Sequence, residues 1–352
     1  MRCTRNWSFC LAFLAFVLLT GLVTSGPSYS ADKPIEFSFA TSLPVQYPIT
    51  QGLDAWGKEV EKRTGGRVKI TYFHASSLAD AVQAYDAVVN GICDIAMTFP
   101  ANNRGRFPLT EALELPGLGG NALLVTHVHN DWVQKMKPKE LDDTHFLYAV
   151  SNMPGVIYST KPFRTLEDLK GSRIRCSGMT CKTVELLGAV PVAMPKPDVY
   201  DALQKGIVDG ASGTPNELKY WRMTEVTKYT TYHAETGYLA TGFVVMNKAK
   251  WNSLTPDLKK IIDEVNTDWQ DHMAKILNAV EQEGVEYGKA KGHIFLMLSP
   301  EEAARWTKAV EPMYQDYVKR MSAKGLPGKE ALAYREQLHA KYRKIYQPVL
   351  KF

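Results

Sequence analysis

Cysteine is scarce in this chain: five in 352 residues, too few for a disulfide-held scaffold. Two of them, Cys3 and Cys10, fall in the first thirty residues, leaving Cys93, Cys176 and Cys181 for the body of the protein. A zinc site needs more sulfur and nitrogen ligands close together than this supplies. Long apolar runs are equally few. Beyond Phe9 to Val23 no stretch is long enough to span a bilayer. No H-E-x-x-H, G-x-S-x-G or phosphate loop occurs, and the eight histidines are scattered. His127 and His129 are two apart on a helical stretch, so they point to different sides and do not suggest a metal pair. A formal charge of +5 with no basic stripe argues against nucleic acid. No internal repeat or low-complexity segment is present. Composition is that of an ordinary globular protein, 45% hydrophobic and 22% charged.

The first thirty residues read as a secretory signal. Arg2 and Arg5 provide the positive start and Phe9 to Val23 the apolar run. Ser28 and Ser30 then sit at the minus-three and minus-one places of a cut before Ala31. Arg2 and Arg5 leave with that segment, which lowers the charge from +5 to +3. Export to the periplasm follows. An odd cysteine count there leaves at least one free thiol. Cys176 and Cys181 either form a local disulfide across a strand-to-helix turn or stay two separate buried thiols.

The body of the chain is organised around Lys170 to Thr214. Arg173 to Cys176 reads as a strand, Thr180 starts a helix, and Val190 to Met194 is a second strand. Val199 to Lys205 is a short helix, and Gly206 to Gly213 returns as a third strand. Strands alternating with helices imply a parallel sheet, whose ligands bind beyond the carboxyl ends of the strands. Arg175 stands at such an end, where a guanidinium can grip a carboxylate with two parallel hydrogen bonds. Arg173 shares its face and lies further out. The same pattern opens the chain: a strand at Ile35 to Ala40, a helix at Ile49 to Arg63 and a strand at Val68 to Phe73. Tyr47 and Phe73 then become candidate pocket walls. Helices are also expected at Leu78 to Asn90, Ala122 to Met136 and Ser299 to about Ala323. A long amphipathic one runs from Pro256 to Lys291, with Leu258, Ile262, Val265, Trp269, Met273 and Leu277 on its apolar face. Tyr238 and Phe243 flank a strand at Gly242 to Asn247, and aromatic walls there would orient a flat or apolar ligand.

Three segments, "LEDLKGSRIRCSG", "LGAVPVAMPKPDVYDALQKGIVDG" and "TGFVVMNKAKWNSL", resemble the DctP-type solute-binding proteins of tripartite ATP-independent periplasmic (TRAP) transporters. The resemblance runs from Phe37 to about Arg320. It implies an α/β, two-domain periplasmic-binding-protein-like fold, each domain a mainly parallel sheet flanked by helices, with a long bracing helix. The expected division is residues 31–152 with 242–285, and residues 153–241 with 286–352. By the same resemblance, Arg175 binds the ligand's carboxylate, Thr98 and Phe99 face the ligand, and Asn152 stands at the mouth of the cleft where the chain enters its second domain. A polar side chain common in the family is replaced by Gly213, followed by Thr214, which counts against an acidic sugar. The implied protein is a receptor without cofactor or catalysis that hands an organic acid to a permease driven by an ion gradient. One inner arginine and many aromatics point to a monocarboxylate with an apolar or aromatic body. A dicarboxylate would call for a second cation, Arg173 or Lys182. A ligand-sensing subunit for a signalling receptor would use the same cleft.

Overall fold

The computed structural model describes residues 33–352 except 104, 348, 349 and 352, so the expected signal segment lies outside the described residues. The chain opens with β1 (Ile35–Thr41), α1 (Pro48–Arg63) and β2 (Val68–Phe73). Pro48 sits in the first turn of α1, where its missing N–H costs nothing. Ile49, Leu53, Trp56 and Val60 form the buried stripe of that helix. Next come α2 (Ala84–Val89), β3 (Ile95–Thr98), α3 (Ala122–Met136) and β4 (Thr144–Ser151). The second stretch holds β5 (Val156–Ser159), α4 (Leu166–Leu169), β6 (Arg173–Cys176), α5 (Thr180–Leu186) and β7 (Val190–Ala193). It continues with α6 (Val199–Gln204), β8 (Gly210–Gly213), α7 (Glu217–Tyr220) and β9 (Tyr229–Tyr232). Then follow β10 (Thr241–Asn247), α8 (Lys248–Ser253), α9 (Pro256–Ala290) and β11 (Ile294–Met297). The chain closes with α10 (Pro300–Val310), α11 (Pro312–Ala323) and α12 (Gly328–Arg343).

Two mixed sheets result, ordered β2-β1-β3-β10-β4 and β11-β9-β5-β8-β6-β7. Within the first, β1 is parallel to β2 and β3, while β10 runs antiparallel to β3 and β4. Within the second, β6 is parallel to β7 and β8, while β5 is antiparallel to β8 and β9. The antiparallel strands are those next to the passages between sheets. β4 leaves the first sheet and β5 enters the second after four intervening residues, and β9 and β10 make the return trip. The two passages lie side by side: Asn152 N–H donates to Ala240 O at 3.2 Å and Gly155 N–H to Tyr238 O at 2.9 Å.

The long helix α9 packs against α1, α3 and β4 on one side and against α7 and β11 on the other. Its glycines serve this contact. A Cβ at Gly284 would lie 2.2 Å from Pro215 O, so only glycine lets the loop after β8 approach so closely. Pro312 divides the single helix expected after Ser299 into α10 and α11, because it cannot donate to the preceding turn. The helix expected over Leu78 to Asn90 shortens to α2. The strand β9 was hidden in a Thr- and Tyr-rich connection. The C-terminal α12 packs on α3 and α11, where Trp132 Nε1–H donates to Ala331 O at 2.8 Å.

Candidate functional site

Side chains from both sheets and from α9 enclose a cavity of about 100 Å³. Tyr47, Leu43, Met97, Phe99, Trp221 and Leu277 give it apolar and aromatic walls, and Arg175 and Lys196 supply positive charge.

Arg175 stands on β6, with β7 and β8 as parallel neighbours on either side. Its side chain is among the largest fully buried ones, 1% exposed. Nε–H donates to Met194 O at 3.0 Å and Nη1–H to Ser212 O at 3.1 Å. Both acceptors are uncharged, and no ion pair to Arg175 occurs among the described residues. Its guanidinium lies 6.0 Å from the Tyr238 ring centroid. A buried guanidinium without a carboxylate is costly, and an anion delivered into the cavity offsets that cost. Arg173, two residues earlier, is exposed and bonds Asp209 through Nε–H at 3.2 Å and Nη2–H at 3.1 Å.

The second cation is one the sequence reading missed. Lys196 follows β7, whose carboxyl end lies beside that of β6, and so reaches the same rim. Its ammonium donates to Glu217 Oε2 and, at 2.9 Å, to the Tyr158 hydroxyl. Burial pulls Lys196 down to about 8, against the opposing pull of Glu217, and Arg175 lowers it further. Neither Arg173 nor Lys182 takes this role. Lys182 pairs with Glu185 at 3.0 Å and borders a neighbouring groove.

Glu281, on α9, is a further ionisable group of the cavity wall and is fully buried. It accepts from Asn216 N–H at 2.8 Å and from Asn216 Nδ2–H at 2.6 Å, while Tyr47 O–H donates to Asn216 Oδ1 at 2.9 Å. Burial pushes the Glu281 carboxyl up to about 8 despite these hydrogen bonds. The close approach at Gly284 sets this cluster, because it brings Asn216 onto the helix that carries Glu281.

Of the residues singled out from sequence, Arg175, Tyr47, Phe99, Asn152, Thr214 and Tyr238 meet around the cavity. The other four do not line it. Phe73 ends β2, the edge strand farthest from the passages. Phe243 is 1% exposed and packs edge-on against Phe146 in the core, and Thr98, paired with it across the ladder, is equally buried. Gly213 lies behind the wall: a Cβ there would come 2.1 Å from Glu217 Oε2. Asn152 lines the cavity with its amide already engaged. Nδ2–H donates to Met153 O at 2.7 Å and Tyr238 O at 3.2 Å, and Oδ1 accepts from Ala240 N–H at 2.5 Å. These hydrogen bonds tie the two passages together. The Cys176–Cys181 alternative resolves as a disulfide, with Cα atoms 5.0 Å apart, and Cys93 is a buried free thiol. Ser177, in the bridged loop, lines the cavity.

Residues 39–320 match the family model described as bacterial extracellular solute-binding protein, family 7 (DctP). The chain belongs to this family. It is a TRAP-type solute-binding protein and not an enzyme. A TRAP solute-binding protein from Rhodoferax ferrireducens, in complex with copurified benzoate, superposes with a TM-score of 0.83 at 30% identity, covering 88% of this chain and 99% of the other. A marine metagenome TRAP solute-binding protein specific for aromatic acid ligands, in complex with metahydroxyphenylacetate, also reaches 0.83, at 26% identity over 88% and 99% of the two chains. The C4-dicarboxylate-binding periplasmic protein DctP of Rhodobacter capsulatus is 25% identical over 309 residues, 85% of this chain and 91% of that one.

Proposed function

We propose that this chain is a periplasmic receptor that captures one organic monocarboxylate with an apolar or aromatic body and delivers it to a TRAP permease. The observation that carries this reading is Arg175: a fully buried guanidinium, bonded to uncharged acceptors, facing a cavity walled by aromatics. A carboxylate meeting its remaining N–H groups gains charge-assisted hydrogen bonds of about 1.5–3 kcal/mol each. Tyr238, Tyr47, Phe99 and Trp221 provide the apolar contact that holds a ring. The aromatic acids bound by the two structural relatives support the same ligand class.

Two lobes, one built on each sheet, close over the ligand about the paired passages at 152–155 and 238–241, and the closed form presents the surface that the permease reads. The periplasmic location of the Rhodobacter relative supports the same compartment for this chain. A thermal-shift screen of the purified protein against aromatic, branched 2-oxo, sugar and dicarboxylic acids tests the ligand class. A ligand at a hundred times its Kd adds roughly 2.7 kcal/mol of stability. Selective stabilisation by aromatic or branched monoacids is expected; stabilisation by sugar acids alone would discard the class.

A further inference from the structure

Two cations face the cavity, which by count alone would suit a dicarboxylate. Their surroundings differ. Arg175 bonds to backbone carbonyls, whereas Lys196 bonds to the Glu217 carboxylate and to Tyr158, which itself donates to Glu217 Oε2 at 2.5 Å. The Lys196 ammonium also sits 5.4 Å from the Tyr158 ring centroid. Glu217 is 5% exposed and Tyr158 fully buried, so a Glu217 carboxylate without its cation would be poorly hydrated. Gly213 makes the room for this arrangement, since any side chain there would strike Glu217 and Tyr158. Glu281, the other carboxyl in the wall, is bonded to Asn216 and makes no ion pair with Arg175 or Lys196 among the described residues. Arg175 is the cation of the wall that has no carboxylate partner among the described residues.

We propose that Glu217 is a specificity-determining residue: as the built-in counter-ion of Lys196, it occupies the position that a ligand's second carboxylate would need and so restricts the cavity to monocarboxylates. The inference rests on Arg175 being the carboxylate anchor. A diacid that reaches Lys196 must displace Glu217 and leave two anions facing each other in a desolvated space. Such a repulsive element is an effective way to reject a competitor. Arg173 and Lys182, each paired on the surface, offer a second carboxylate no alternative.

The test is titration calorimetry at pH 7 with matched pairs, benzoate against isophthalate and butyrate against succinate. The wild-type protein is expected to prefer the monoacid of each pair at least tenfold. Glu217→Gln keeps a hydrogen-bonding side chain and frees Lys196, and should move the monoacid-to-diacid ratio at least tenfold toward the diacid. Adding Lys196→Met should abolish that shift while benzoate still binds. Lys196→Met alone leaves Glu217 as an unpaired anion and should weaken benzoate at least tenfold. The double variant should recover it, so the idea stays testable even where Glu217→Gln folds poorly. A folded Glu217→Gln protein with an unchanged ratio overturns the inference, as does Lys196→Met with undiminished benzoate affinity or a wild type that takes diacids equally well. If Arg175→Ala abolishes benzoate binding while these ratios stay put, the anchor stands and only the selectivity role of Glu217 falls. A wild type that binds no acid overturns both.

Discussion

The Arg175 guanidinium lies over the face of Tyr238, 6.0 Å from the ring centroid, and the two belong to different segments of the second sheet's neighbourhood: Arg175 to β6, Tyr238 to the passage back into the first sheet. Cation and ring meet where the chain changes sheets. A ligand held by Arg175 would therefore lie beside the segment about which the proposed closure turns. Tyr238 also packs beside Gly155, whose N–H bonds its carbonyl, so the two passages are joined at this point.

Truncating the ring should change which acids bind. Tyr238→Leu keeps an apolar side chain and removes the aromatic face. Aromatic contacts are worth about 0.5–1.5 kcal/mol beyond buried area. The preference for benzoate over an aliphatic acid of similar size should fall by roughly three- to tenfold, measured as a ratio of Kd values.

Gly213→Asn should disturb the wall behind the cavity. Its Cβ would fall 2.1 Å from Glu217 Oε2 and 2.6 Å from Tyr158 Cε1. Overpacking of this kind costs about 1–3 kcal/mol. Urea unfolding should show a lower midpoint with the same slope.

Stability should respond to pH through Glu281. Its folded pKa, about 8, lies above its ordinary value of 4.5 because the buried site favours the neutral acid. Between those values the folded state holds a proton that the unfolded chain has released, so this contribution is full at low pH and is lost as pH rises through about 8. Glu114, raised by burial to about 7, acts in the same direction. Buried His129, His145 and His233 are pulled down by burial and work the opposite way, but only below their ordinary 6.5. Lys196, lowered to about 8, slopes upward only above that pH. From pH 6.5 to 8 the wild-type melting temperature should therefore fall more steeply than that of Glu281→Gln. Parallel curves for the two proteins would contradict the assignment.

Reduction of Cys176–Cys181 should loosen the loop that carries Ser177. The bridge closes a loop of only a few residues, for which the chain-entropy estimate is roughly 2 kcal/mol. Cys181→Ala should lower the unfolding free energy by about that amount and weaken ligand binding modestly, both readable in one denaturation and one calorimetric series.

Much of this architecture was legible in the sequence because its strands and helices carry their own periodicity. Arg175 could be placed because a strand of four residues ends one position after it, at a carboxyl end where such sheets bind ligands. The same rule applied to β7 would have found Lys196, but the proline on each side made "MPKPD" read as a loop and nothing more. Glu217 and Glu281 gave no local signal. Each is a glutamate on a helix, a residue type that is mostly exposed, and only long-range contacts bury them: Glu281 against Asn216, 65 residues away, and Glu217 against Tyr158, 59 residues away. Phe73 ends β2, Phe99 follows β3 and Phe243 lies near the start of β10. Which of them is pocket and which is core depends on strand order, and that order is set by β10 inserting between β3 and β4. Pairings of this kind lie beyond any local pattern.

The most direct test of the receptor reading is calorimetric titration of benzoate into the wild-type protein and into Arg175→Ala. Removing one partner of a buried charge pair costs roughly 2–5 kcal/mol, or about thirty-fold to a few thousand-fold in Kd. The expected result is saturable binding to the wild type, with affinity lost on that scale in a variant whose circular dichroism and urea slope are unchanged. Equal affinity in the two folded proteins would contradict the assignment of Arg175 as the carboxylate anchor.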